Sequence, residues 1–194
     1  MSRVTLALLL GLLFGMVQAV PMIDYAPGHG VDPEFESWYE ELLRNNEDPT
    51  TSSAYTDFFA PNGSLIVLGE VSTGPEAILR ARGAMQPADS SIEWNVCFRA
   101  PMDDIVAQEL IIPHHFPNTT VVAAESATER TFHVFGVMQT VTTADGECST
   151  TYFQTLFTVA KRKCTGTANL SPQGGSLLIY DGFSISPSDD PCIK

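Results

Sequence analysis

Three helix patterns followed by a run of strands predict an α+β domain, with helices gathered on one face of a curved antiparallel sheet. Near the start, Phe35, Trp38, Tyr39 and Leu42 recur at i, i+3, i+4 and i+7, the spacing of one helix face. From residue 92 onward, segments rich in β-branched and aromatic residues show period-two stretches instead.

The elements follow in order. Pro21 to Pro33 carries no periodicity and reads as a loose arm. Asp32-Pro33-Glu34 then opens the first helix, with Asp as N-cap and Pro in the first turn, and Asn45-Asn46 ends it. A second, short helix runs from Ser52 or Ser53 through Tyr55, Phe58 and Phe59, stopped by the turn signal Ala60-Pro61-Asn62-Gly63. Ser64 to Leu68 is a strand, Gly69-Glu70 a tight turn, and Val71 to Thr73 the return. Gly74-Pro75-Glu76 opens a third helix, with Ala77, Ile78, Ala81 and Met85 on one side. Strands are expected over 92–98, 120–125, 131–141, 150–159 and 176–185, and Ala144-Asp145-Gly146-Glu147 is a hairpin turn signal. The stretch from Pro101 to Asn118 follows neither period and reads as an insertion.

The ends and the charge bound the setting. Arg3 precedes an apolar run from Leu6 to Val17, and Val17-Gln18-Ala19 supplies the small-x-small pattern of a cleavable signal peptide over 1–19. That run is short of the roughly 20 apolar residues a membrane span needs. The expected layout is a leader over 20–33, one domain over 34–186 and a tail over 187–194. Loss of Arg3 would take the formal charge from −13 to −14. A chain this acidic repels phosphate, and Lys161-Arg162-Lys163 is its single basic run, so nucleic acid is excluded as a partner.

Cys97, Cys148, Cys164 and Cys192 are even in number, as suits disulfides in an oxidising compartment. No Cys-x-x-Cys or Cys/His spacing points to a metal. Cys148 and Cys164 bracket one strand, so ~50 Å of extended chain keeps them apart. Two pairings remain. A hairpin that brings Cys192 towards Cys148 favours Cys148–Cys192 with Cys97–Cys164. Asn62-Gly-Ser, Asn118-Thr-Thr and Asn169-Leu-Ser are N-glycosylation sequons in segments that read as loops, the third weakened by Pro172.

The order helix, helix, hairpin, helix, long sheet resembles the nuclear transport factor 2-like superfamily, in particular its SnoaL-like branch. The residues that carry the likeness are Tyr55-Thr-Asp-Phe-Phe-Ala-Pro-Asn-Gly63, Gly74-Pro-Glu-Ala-Ile78, Thr120-Val-Val-Ala-Ala-Glu125, Phe153 to Val159 and Gly175-Ser-Leu-Leu-Ile-Tyr-Asp181. The resemblance implies a cone, three N-terminal helices closing one side of a bent sheet around an apolar pocket. It further implies acid/base chemistry without cofactors on small ring compounds, as in ketosteroid isomerase-like and polyketide cyclase-like enzymes, or ligand binding alone. Many relatives form homodimers through the sheet. A signal peptide on such a domain looks like a fungal arrangement from secondary metabolism.

Such chemistry needs a base near the reacting C–H and a donor for the developing oxyanion. Asp57 lies where relatives keep a pocket acid, although an acid there also suits a helix or turn cap. His133, beside Thr131 and Phe135, is the histidine best placed as a base, against a structural strand histidine. Tyr55 would donate to a substrate oxygen, or else be a core tyrosine. Tyr152 and Gln154 share a strand face that points either into the pocket or outward. Relatives carry a histidine on the strand after the third helix, where this chain reads Ile92-Glu-Trp-Asn-Val96 and offers Glu93 or Asn95. Glu125 matches a family acid but sits at a strand end, where acids are mostly solvated. His114-His115 lies between Pro113 and Pro117 and reads as an irregular loop. Trp38 and Tyr39 suit helix core better than a stacking platform, and Arg82 on the third helix either reaches a pocket carboxylate or, as suits it better, sits at the surface. Three functions fit: an isomerase or cyclase acting on a small polyketide-derived metabolite, a secreted binder of an apolar small molecule, or a secreted interaction protein.

Overall fold

A computed structural model describes residues 22–23, 25–48, 50–85, 92–94, 114–115, 120–142 and 148–185. Among these the elements are β1 (Met22–Ile23), α1 (Phe35–Glu47), α2 (Ser53–Thr56), β2 (Phe59–Val67), β3 (Glu70–Thr73), α3 (Pro75–Met85), β4 (Ile92–Trp94), β5 (His114–His115), β6 (Thr120–Glu125), β7 (Glu129–Thr142), β8 (Cys148–Ala160) and β9 (Leu177–Ile185). The expected signal peptide, the 144–147 turn, Asn118, Cys97, Cys192 and the tail lie outside the described residues. No described helix is long and apolar enough to cross a membrane.

α1 forms where the periodicity places it, and Phe35, Trp38, Tyr39 and Leu42 are all essentially fully buried. Burying each is worth about 1.5–3 kcal/mol, far more than helix propensity supplies. Its start differs from expectation. Asp32 makes no side-chain cap; its backbone oxygen accepts from Phe35 N at 3.0 Å, while its carboxylate pairs with Arg130 at 2.6 Å. An ion pair across 98 positions of sequence outcompetes the local cap. Nor is the leader loose. Gly28 N donates to Thr120 O at 2.8 Å and Pro27 bridges Thr120 in parallel, so the arm lies along the edge of β6.

Among the described residues two helices are long, α1 and α3, and α2 is a single turn. Phe58 and Phe59 leave it, and Phe59 begins β2. The expected turn at 60–63 is instead a bulge within β2, where register with β9 jumps from Phe59↔Leu177 to Ser64↔Ile179. Gly63 is required there: a Cβ would stand 2.7 Å from the Leu177 carbonyl oxygen. Pro61 is tolerated because a bulged residue needs no ladder N–H. The β2–β3 turn falls one residue earlier than expected, on Leu68 (φ 50°) and Gly69 (φ 88°), flanked by Val67↔Glu70. Two positive φ values in a two-residue loop match the twist of the paired strands.

Strands β1-β5-β7-β8-β9-β2-β3 run side by side, with β4 and β6 also paired to β7. β7 and β8 form the spine, antiparallel from Glu129↔Ala160 to Val141↔Cys148. The sheet is mixed rather than wholly antiparallel, because β2 pairs with β9, and β1 with β5, in parallel. These partners are remote in sequence, so no hairpin turn dictates their direction. β6 is as predicted, β2, β3, β7, β8 and β9 differ from their predicted ranges by a few residues, and β1 and β5 fall where no strand was expected.

The interior between α1 and the sheet is aromatic. Phe35 stacks on Phe132 with ring centroids 4.3 Å apart, Trp38 meets Phe157 edge-on at 5.7 Å, and Tyr39 and Tyr180 flank Phe157 at 5.1 and 4.8 Å. Side chains thus fill this part of the expected hollow.

Candidate functional site

Strand parity distributes the residues singled out by sequence. On β7, Phe132 and Val134 are buried against the helices, which turns His133 and Phe135 to the outer face. On β8, Phe157 and Val159 point inward, and Tyr152 and Gln154 outward. His133 and Gln154 do meet, Nε2 to Oε1 at 3.3 Å, and the His133 ring lies 4.0 Å from that of Phe135. Tyr152 shares that face and is 54 % exposed. The proposed base and two of its proposed helpers therefore lie across the sheet from the helices. Asp57 is corrected as well. It is exposed at the C-terminal end of α2, its N–H donating to Ser53 O at 2.7 Å and its carbonyl accepting from Gly175 N at 2.9 Å. It holds the turn before β9, and that is the cap role.

Tyr55 alone of the five faces the interior. It is fully buried, its ring packs on Phe59 at 5.5 Å, and its hydroxyl has no hydrogen-bond partner among the described residues. The Trp38 indole N–H is likewise buried and unpaired. Around Tyr55 stand groups that sequence reasoning passed over. Tyr39 and Tyr180 feel each other electrostatically, as do Tyr55 and Tyr180. Burial raises all three phenols above their ordinary value, so each stays protonated and acts as a donor, not as a base. Tyr180 keeps part of its surface exposed while its hydroxyl end is dehydrated. Glu47, on the last turn of α1, raises Tyr39 and Tyr180 further by like charge. The signal for Tyr180 was present in Leu178, Tyr180 alternating with Ile179, Asp181, but parity alone did not say which set faces inward.

Arg82 is not a surface residue. It is buried, donates from Nε to Asn46 O and from Nη1 to Thr51 O at 2.8 Å each, bonds Asp48 O through Nη2, and lies 5.3 Å over the Tyr55 ring. It thus satisfies the Asn46 and Asp48 carbonyls, which the end of α1 leaves without helical partners, and the Thr51 carbonyl in the loop beyond.

The remaining candidates are structural or beyond description. Glu125 is exposed and engaged by Arg130 through both oxygens at 2.9 Å and by Lys161 at 2.5 Å. The Lys161 ammonium, then Arg130, hold its carboxyl below the usual range. His114-His115 is a strand parallel to β1, not an irregular loop. Glu93 lies in β4 opposite Val141; its side chain, and all of Asn95, are outside the described set. Trp38 and Tyr39 are core, as the helix pattern suggests. Cys164 is exposed and in no disulfide among the described residues. Asn62 is exposed on the β2 bulge, while Asn169 is half-buried, its N–H donating to Ala160 O and its carbonyl accepting from Ser176 Oγ.

No family model matches the chain, and no curated protein matches its sequence. Solved structures do. ActVI-ORFA from Streptomyces coelicolor superposes with a TM-score of 0.51 at 11% identity, over 79% of this chain and 94% of that one. A ketosteroid isomerase-like protein from Erwinia carotovora atroseptica gives 0.48 at 16%, over 78% and 94%. The Anabaena Orange Carotenoid Protein binding canthaxanthin gives 0.46 at 10%, over 87% of this chain and 40% of that one. The chain therefore has the α+β fold of ActVI-ORFA.

Proposed function

We propose that this protein binds a small, largely apolar, oxygen-bearing molecule on the helix side of its sheet, with the Tyr55 hydroxyl as a donor to the ligand oxygen. The observation that carries this reading is that hydroxyl, buried and without a partner among the described residues. A buried donor left unpaired costs roughly 1–3 kcal/mol. A ligand carbonyl or phenolate that pairs with it recovers that cost, and the Tyr180 phenol lies within electrostatic reach of Tyr55. In this closed form solvent does not reach the Tyr55 hydroxyl.

The finer reading is cofactor-free isomerisation or ring closure of a polyketide-derived metabolite, in the secretory pathway or outside the cell, as in a fungal pathway such as that of patulin. Protonated phenols suit a developing enolate oxygen. With Asp57 and His133 turned away, Glu47 replaces them as proton acceptor, supported by its electrostatic reach to Tyr39 and Tyr180.

The test is fluorescence titration of the purified protein with hydroxylated aromatic and polycyclic ketone ligands. Tyr55→Phe is expected to weaken binding about 2- to 12-fold, the worth of one hydrogen bond, and to leave the fold as stable or about 1 kcal/mol more so. Turnover lost in Glu47→Gln with binding retained supports the enzyme reading, and binding without turnover in the wild type supports a carrier. Affinity for the whole panel unchanged by Tyr55→Phe, or no binding at all, overturns the proposal.

A further inference from the structure

The interior holds a second buried donor in the same state as the Tyr55 hydroxyl. The indole N–H of Trp38, on a fully buried side chain, has no hydrogen-bond partner among the described residues. An indole nitrogen donates and does not accept, so an acceptor is what satisfies it. Leaving such a group buried and unpaired costs stability. Phenylalanine at either position would bury a ring and leave no N–H or O–H behind.

The two donors belong to one core. Trp38 reaches into it from α1 and Tyr55 from α2. Trp38 meets Phe58 at 6.0 Å with the rings 65° apart, and Phe157 at 5.7 Å and 88°. Tyr55 meets Phe59, the next residue after Phe58, at 5.5 Å and 72°. Phe157 in turn packs on Tyr180 at 4.8 Å, and the Tyr180 phenol lies within electrostatic reach of Tyr55. Trp38 and Tyr55 are thus connected twice through rings, by Phe58-Phe59 and by Phe157 with Tyr180.

Charge narrows what can pair with both. Arg82 is the one charged side chain among the buried described residues. It lies over the Tyr55 ring, but its donors go to the backbone oxygens of Asn46, Asp48 and Thr51. A carboxylate or phosphate brought inside would meet no uncommitted cation there, and an unpaired buried charge is expensive. The formal charge of −13 opposes an anion as well. A neutral carbonyl carries no such penalty and accepts from either donor. Aromatic walls take a flat ring frame, which stacks on its faces and leaves its edges to the donors. We propose that the ligand is a flat, neutral molecule with two carbonyl oxygens, as in a quinone, and that Trp38 selects the second of them. This inference rests on Tyr55 taking the first. A site built to hydrogen-bond a group discriminates against an analogue that lacks it, so Trp38 is a specificity residue.

Three probes share one frame of fused rings and differ in carbonyl number: anthraquinone has two, anthrone one and anthracene none. Equilibrium dialysis against the intact protein reads the bound fraction of each. The wild type is expected to bind anthraquinone about 2- to 12-fold more tightly than anthrone, and anthrone more tightly than anthracene by a similar factor, one hydrogen bond per step. Trp38→Phe should erase the first step and keep the second. Nitrogen–proton correlation spectra of the wild type give a readout that needs no change at Trp38. The chain has two tryptophans, and Trp94→Phe identifies which indole signal is that of Trp38. Its nitrogen should move downfield with anthraquinone, and further than with anthracene. Anthraquinone bound no tighter than anthrone, while anthrone still exceeds anthracene, overturns the role of Trp38 and leaves the single-donor reading standing. Anthrone bound no tighter than anthracene overturns both. A Trp38 signal unmoved by saturating anthraquinone, or a preference for anthraquinone that survives Trp38→Phe, also overturns the proposal.

Discussion

Along β8, Phe157 and Val159 press into the helices and are sealed from solvent, while Tyr152 and Gln154 on the same strand stand in the open. The two faces differ in burial more than in composition. Inside are Thr151, Phe153, Thr155 and Phe157; outside are Tyr152, Gln154, Leu156 and Thr158. Each set mixes hydroxyls, rings and aliphatics. The face opposite the helices exposes Phe135, Tyr152, Ile179 and Phe183. His133, read from the sequence as a base, and Gln154, read as a ligand contact beside Tyr152, both stand on that outer face.

The largest test of this contrast is a matched pair of truncations on β8. Phe157→Ala should cost about 3–5 kcal/mol, because it opens a cavity among Trp38, Tyr39 and Tyr180. Tyr152→Ala should cost about 0.5 kcal/mol or less when urea unfolding is followed at low protein concentration. Comparable losses from the two would mean that the outer face is covered within the monomer.

Next comes the polar fastening of the inner side. Arg82→Met should lose about 2–3 kcal/mol, since the carbonyls of Asn46 and Asp48 at the end of α1, and of Thr51 in the loop after it, forfeit a charged donor. Arg82→Lys should recover only part, because an ammonium lacks the planar fork that reaches all three. Full recovery by lysine in thermal unfolding would show that charge, and not geometry, is what matters there.

The smallest effect concerns the exposed clasp of Glu125. Its carboxyl is held below the ordinary value by Lys161 and Arg130. The folded state therefore gains from this group above the unfolded value of about 4.3 and loses that gain as pH falls through the folded value. Glu125→Gln should flatten the acid side of the stability–pH curve and leave neutral-pH ligand binding unchanged. An acid limb identical to the wild type would place the titrating groups elsewhere.

Much of the architecture was legible in the residues. The α1 stripe, the hairpin after the second helix, α3 behind Gly74-Pro75 and the strand over 120–125 all follow from local periodicity and turn chemistry, which need no knowledge of distant parts. The misreadings share a cause. Ala60-Pro61-Asn62-Gly63 has turn composition, yet a bulge uses the same residues, and only the approach of Leu177 to Gly63 distinguishes the two. Asp32 has the chemistry of a cap and spends it on Arg130.

Local sequence, through spacing and side-chain size, settled which segments are helix or strand and which helix face is buried, because those choices are made within a turn or two of chain. The fold alone settled which face of β7, β8 and β9 meets the helices, and so which candidates share the interior with Tyr55. Where both faces of a strand are apolar, period two is satisfied by either orientation. Long-range register, set by partners more than a hundred positions away such as β2 and β9, makes the choice.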